Sequence, residues 1–273
     1  MNDSIDLAGG WGRLRPCRHG LFVYNINDMY IGQSLDRYGE YSEEEVRVLT
    51  SLLRPGDIAV EVGANIGALV IPMAKAVGPA GAVVAYEPQR MVHQMLCGNV
   101  ALNGLSNVIA KHAAASDAPG TLHVPVLDPT QHLNFGDVAL ERWTEETGIK
   151  VPAETIDSLG LTSCRLIKAD VQGMESSVLR GAAKTIAAHR PALYVENDQR
   201  DNSPALIGLI RSMGYRLWWH MPPLFQQNNF AGNPDNIFGR IISLNLLCFP
   251  AEANVRLDGR EVLSDDEWPI DVG

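Results

Sequence analysis

Positive charge is in short supply in this 273-residue chain: 22 lysines and arginines stand against 32 aspartates and glutamates, a formal net charge of −10. A phosphate backbone is bound by a basic face, so the balance argues against DNA or RNA as a partner. Cysteine is sparse as well. Cys17, Cys97, Cys164 and Cys248 are dispersed, with no C-x-x-C pair and no histidine cluster beside them, and read as free thiols in a reducing cytoplasm. No apolar run reaches the roughly 20 residues of a membrane span. The longest, from Gly67 to Tyr86, is broken by Pro72, Lys75 and Pro79. The first 20 residues carry Asp3, Asp6 and several glycines in place of an apolar signal core, so the expected location is cytoplasmic. Internal repeats and low-complexity tracts are missing too.

What is present is concentrated in Glu61-Val62-Gly63-Ala64-Asn65-Ile66-Gly67, which follows the apolar run Ile58-Ala59-Val60. This reads as a buried strand ending in a glycine turn that opens a helix, the device by which α/β folds bring backbone N–H groups to a nucleotide-like ligand. A dinucleotide loop has the spacing G-x-G-x-x-G, yet Asn65 stands where the second glycine belongs. Glu61 at the strand end would repel a pyrophosphate and would attract a cation. S-adenosylmethionine (SAM) has no phosphate and carries a sulfonium and an ammonium, so the acid suits it.

Glu-x-Gly-x-x-x-Gly resembles the first motif of SAM-dependent methyltransferases, and Gly-Ala-Asn-Ile-Gly is the form typical of the FkbM family. Later blocks agree in order and spacing. Glu87-Pro88 ends the apolar segment Ala82 to Tyr86, where an acid accepts the two ribose hydroxyls. Ala114-Ala115-Ser116-Asp117 resembles the loop at the adenine edge. Lys168-Ala169-Asp170-Val171-Gln172-Gly173-Met174-Glu175 is similar to the family block Lys-Ile-Asp-Val-Glu-Gly-x-Glu, with Gln172 in place of an acid. The resemblance extends from about Gly20 to about Pro250. It implies a Rossmann-like class I SAM-dependent methyltransferase fold, α/β, with a seven-stranded doubly wound sheet and one antiparallel strand. It also implies O-methylation of a sugar-containing or secondary-metabolite small molecule, with Glu61, Gly63, Asn65, Gly67, Glu87, Pro88, Ser116, Asp117 and Asp170 around the cofactor.

The periodicity predicts the organisation. Residues 1–55 form a hairpin near Gly20 to Gly32 and a helix opened by a Ser42/Glu45 capping box and stopped at Pro55-Gly56. By resemblance this segment caps the cofactor site. In residues 56–250 strands and helices alternate: strands over 57–62, 82–87, 107–113, 164–169 and 191–197, helices over 66–77, 89–103, 174–189 and 203–213. Residues 118–155, with four prolines, read as an inserted loop region with short strands. Tyr215 to His220 and Arg240 to Phe249 close the sheet, the latter antiparallel, and 251–273 is an acidic tail.

Asp170 ends a buried strand and therefore points into the cleft beside SAM; Glu196 and Asn197 end the next strand at the same sheet edge. This trio is similar to the magnesium ligands of catechol O-methyltransferases and of cephalosporin-hydroxylase-type enzymes, so Mg²⁺ or another divalent cation is a candidate second cofactor. The metal-free alternative makes Asp170 or Glu196 the base. Lys168 is expected to face away from Asp170. The stretch from Trp218 to Asn245 is rich in rings and amides that suit a polyhydroxylated acceptor, with Trp219, His220, Asn228, Asn229 and Asn236 as candidates and His220 as a further catalytic candidate. Asparagine also favours turns, which is the structural alternative. Two rival functions are a nicotinamide oxidoreductase, disfavoured by Glu61 and Asn65, and a non-catalytic SAM- or partner-binding protein, suggested by Gln172. A small molecule is the expected partner, and both monomer and homo-oligomer are compatible with the pattern.

Overall fold

The computed structural model describes residues 4–136 and 148–270. The N-terminal segment folds as three antiparallel strands, β1 (Ile5–Asp6), β2 (Gly12–Cys17) and β3 (Gly20–Asn25), followed by α1 (Ile31–Tyr38) and α2 (Glu43–Leu52). The hairpin therefore turns at Arg18-His19, earlier than the asparagines suggest. Asn25, Asn27 and Asp28 shape the entry to α1, Asp28 accepting the Gly32 N–H at 2.8 Å. The capping box takes another form: Ser42 has φ 44° and its hydroxyl donates to the Glu45 carboxylate at 2.9 Å, so it accepts no helix N–H.

The central sheet is built from β4 (Ile58–Val62), β5 (Ala82–Tyr86), β6 (Val108–Lys111), β10 (Leu166–Ala169), β11 (Ala192–Glu196), β12 (Tyr215–His220) and β13 (Asn245–Pro250). Their order is β12-β13-β11-β10-β4-β5-β6, with β13 alone antiparallel to its neighbours. Short apolar runs separated by helices leave parallel pairing with helices on both faces as the way to bury them. Alternate residues point to opposite faces. Thus Val60, Ile167, Leu193 and Leu217 pack with α5 (Glu175–Arg180), α6 (Ala183–His189) and α7 (Ser203–Ser212). Ala59, Val83, Leu166 and Tyr194 pack with α2 and α3 (Val70–Val77). The helix α4 (Arg90–Leu102) packs on β3 and β6.

The single helix expected over 174–189 is interrupted at Gly181, where an added Cβ would lie 1.9 Å from the Ser116 carbonyl oxygen. Backbone approaches backbone there, and only glycine permits it. The insert forms a small sheet of β7 (Ala114–Ala115), β9 (Ile149–Glu154) and β8 (Gly120–Val124); the part of it at 137–147 lies outside the described residues. The acidic tail packs back on the domain: Val262 is buried in the core, and Trp268 meets Trp219 edge to face at 5.8 Å.

Candidate active site

A cavity of about 320 Å³ opens at the carboxyl ends of β4, β5, β10 and β11. Its floor is the glycine turn. Gly63 (φ 80°) carries no side chain because a Cβ would sit 1.9 Å from the Asp170 carbonyl oxygen, so the β4 and β10 turns touch through it. Asn65 is left-handed at φ 48°, a conformation asparagine tolerates, and its Oδ1 accepts the Ile66 N–H at 2.8 Å. Glu87, beyond the end of β5, accepts the N–H groups of Asn65 at 2.9 Å and of Gln89 at 2.8 Å. Burial pushes its carboxyl up to about 7 against those two hydrogen bonds.

Strand register assembles the charged groups. Lys168 on β10 pairs with Glu61 on β4 and with Tyr194 on β11, so these three share one face. Asp170 lies two residues beyond Lys168 and Glu196 two beyond Tyr194, which continues that face into the cavity. Lys168 Nζ, buried, lies 3.1 Å from Asp170 Oδ2 and 3.5 Å from Glu61 Oε1. The expectation that Lys168 turns away from Asp170 is therefore wrong, since side chains two apart on a strand point the same way.

Burial alone would strip the proton from Lys168, but Asp170, Glu61 and Glu45 outweigh it and hold the ammonium charged. Burial likewise pushes the Asp170 carboxyl up, yet the Lys168 charge and a hydrogen bond from Glu196 hold it below the usual carboxylate range. Glu196 is driven well above its ordinary value by burial and then by the Asp170 charge. The two carboxyls are thus pushed in opposite directions, Asp170 toward its charged form and Glu196 toward its neutral one. Glu61 is pushed up to about 7 by burial, with Lys168 pulling the other way.

Other expected residues lie elsewhere. Asn197 follows Glu196 by one position and faces the opposite side, where its amide donates to the Ser203 hydroxyl at 2.8 Å. The three-oxygen metal set is therefore not assembled. Among the described residues no group of three or more His, Cys, Asp or Glu side chains could hold a metal ion, and the Lys168 ammonium already sits 3.1 Å from Asp170, where a cation would compete with it. The donors present do not fit a divalent cation.

His220 does not line the cavity; its Nδ1 pairs with the Tyr194 hydroxyl at 2.7 Å, and burial lowers its pKa. Trp219 is a core residue against Trp268. Asn229 is buried and ties its loop to Gln226 and Asn233, while Asn236 closes a turn onto Gly239 and Phe238. Asn228 is exposed and meets Arg18 through its carbonyl. The amides of this loop are spent on its own backbone, the turn-forming alternative. Its contribution to the cavity comes from Leu224 and residues 241–244.

Ser116 and Asp117 line neither the main cavity nor a small apolar one beside it, and they bond to Ser177 of α5. Pro88 lines the small one, with Gly63, Tyr86, Ala113, Val171 and Met174 around it. The lining residues that escaped the sequence reading include Tyr30, Tyr41, Glu45, Lys168 and Asp198. Only Lys168 had a signal, its two-residue spacing from Asp170.

A seven-stranded doubly wound sheet with one reversed strand, a glycine turn after its central strand and a carboxylate ending the next strand define a Rossmann-like SAM-dependent methyltransferase. A family model, the methyltransferase FkbM domain, matches residues 61–217, and the chain belongs to that family. Solved structures show a low likeness. The FkbM methyltransferase of Methylobacillus flagellatus KT is 19% identical over 81% of this chain and 55% of its own, with a TM-score of 0.46. TYW2 of M. jannaschii in complex with AdoMet is 15% identical over 89% of each chain, with a TM-score of 0.47. The precorrin-6y C5,15-methyltransferase of Geobacter metallireducens GS-15 is 10% identical over 76% of this chain and 88% of its own, at 0.47. No curated protein matches the chain. Among the described residues no helix is long and apolar enough to cross a membrane.

SAM fits the residues present. Glu61 Oε2 is buried in the cavity wall with no hydrogen-bond partner among the described residues, and a cationic ligand would supply one. Glu61, Gly63, Asn65 and Glu87 are the residues that would hold it.

Proposed function

We propose that this chain methylates a hydroxyl oxygen of a small molecule, a sugar-containing compound or another secondary metabolite, without a metal ion. The observation that carries the reading is the Asp170–Glu196 pair on the cavity wall, with the buried Lys168 ammonium 3.1 Å from Asp170. SAM, when bound, supplies the electrophilic methyl. Asp170 accepts a hydrogen bond from the acceptor hydroxyl, which turns an oxygen lone pair toward the methyl carbon. An alcohol oxygen becomes strongly acidic as it gains a methyl group, so even a weakly basic carboxylate takes the proton late in the transfer. Glu196 donates to Asp170, fixing which carboxylate oxygen faces the acceptor. Tyr30, Ile31, Leu224 and residues 241–244 wall the acceptor half of the cavity and keep water from competing. The net charge of −10 supports a small acceptor over a nucleic acid.

The test is a screen of polyols, glycosides and phenols with SAM, following S-adenosylhomocysteine release. Asp170→Asn should abolish transfer to any acceptor found while binding S-adenosylhomocysteine within about threefold of the parent. Undiminished transfer by Asp170→Asn would exclude Asp170 from the chemistry.

A further inference from the structure

Among the described residues lining the cavity Lys168 is the single cation, set among the acids Glu45, Glu61, Glu87, Asp170, Glu196 and Asp198. A lysine this deeply buried is costly unless its charge is used. It cannot serve as the base, because the acids around it keep its nitrogen protonated and without a lone pair. Its position bridges the two ends of the site: one contact, at 3.1 Å, is to Asp170 at the acceptor end, and the other, at 3.5 Å, is to Glu61 beside the glycine turn. The other titratable groups that face the pair are Tyr41 just before α2, Glu45 of α2, Tyr194 and Glu196 of β11, Glu87 beyond β5 and Glu175 of α5.

We propose that Lys168 is the positioning residue of this site: its ammonium anchors the Asp170 carboxylate in its accepting, charged form and links that setting to Glu61 at the cofactor end. This rests on the reading of Asp170 as the group that meets the acceptor hydroxyl. Without the ammonium, Asp170 would compete with Glu196 for a proton and, once protonated, would offer a donor where the acceptor hydroxyl needs an acceptor. Gln172 fits the same arrangement. Its amide donates to Glu196 Oε2 at 3.2 Å, whereas an acid at this position would set a third carboxyl group against the pair.

The experiment titrates Asp170 directly, in the full chain, by ¹³C NMR of side-chain carboxyl carbons, with the Asp170 signal assigned by its loss in Asp170→Asn. In the parent the midpoint should lie below the ordinary aspartate value. Lys168→Met, which keeps the stem and removes the charge, should raise the midpoint by more than one pH unit and weaken S-adenosylhomocysteine binding at least threefold. Lys168→Arg, which keeps the charge, should leave the midpoint low. An unmoved Asp170 midpoint in folded Lys168→Met overturns the proposal. Should that variant fail to fold, the reciprocal titration decides: in ¹⁵N-lysine-labelled protein the Lys168 Nζ midpoint should fall in Asp170→Asn, and an unmoved midpoint refutes the link. Neither titration uses a methyl acceptor. A failed acceptor screen would therefore count against the proposed reaction and leave the role of Lys168 to be judged by these signals.

Discussion

Replacing Glu87 separates the bracing of the glycine turn from the proposed reception of the cofactor. Its carboxylate is almost fully buried and accepts two backbone N–H groups, from Asn65 and Gln89. Leaving a buried donor unpaired costs about 1–3 kcal/mol, so freeing these two in Glu87→Ala should lose about 2–6 kcal/mol of stability in urea unfolding. If the same carboxylate receives the ribose hydroxyls, S-adenosylhomocysteine binding should also weaken by about 1.5–3 kcal/mol, roughly 10- to 150-fold by calorimetry.

The pH dependence sharpens the test. The folded carboxyl of Glu87 sits at about 7, above the ordinary glutamate value of about 4.5. A carboxyl raised on folding stabilises the protein fully below the unfolded value, and that contribution is lost as pH rises through the folded value. The ligand-free protein should therefore lose stability between about pH 4.5 and 7 from this group, and Glu87→Gln should flatten that fall. Ligand affinity should run the other way, rising with pH through 7 as the accepting carboxylate forms. An S-adenosylhomocysteine affinity unchanged in Glu87→Ala, with stability lost, would show that Glu87 only braces the turn.

Gly63→Ala forces a Cβ against the Asp170 carbonyl at positive φ and should cost about 3 kcal/mol of stability, measured by denaturant unfolding, and abolish cofactor binding. Trp219→Ala should cost about 3–5 kcal/mol as a core truncation, with S-adenosylhomocysteine affinity unchanged in the folded fraction; a raised acceptor KM without lost stability would return Trp219 to the substrate site. Asn229→Ala should lower the thermal midpoint by freeing the half-buried Asn233 N–H that its side chain accepts, and calorimetry should show cofactor binding intact. Prolonged chelation should leave turnover of an identified acceptor unchanged; loss restored by Mg²⁺ or Mn²⁺ would overturn the metal-free reading.

Sequence alone determined the features that depend on local order. The run Ile58-Ala59-Val60 before Gly63-Ala64-Asn65-Ile66-Gly67, and Glu87 closing the next apolar run, place a strand, a turn and an acid by hydrophobic pattern and glycine chemistry. These remain legible because each is decided within a few residues. Asp170 was legible for the same reason, as the first polar residue after a buried strand. Tertiary structure decided what each side chain meets. The alternation of a strand sends Asn197 to the far side of the sheet from Glu196 and Trp219 into the core, while it brings Lys168 under Asp170. In the loop from Trp218 to Asn245 the amides could as readily have faced a ligand as their own backbone, and that choice was made by Tyr38, Leu224 and Phe238 packing the loop into a small core of its own. The opposite shifts of the Asp170 and Glu196 carboxyls depend on a lysine two strand positions below Asp170, on burial, and on register between β10 and β11, and spacing along the chain alone sets none of these.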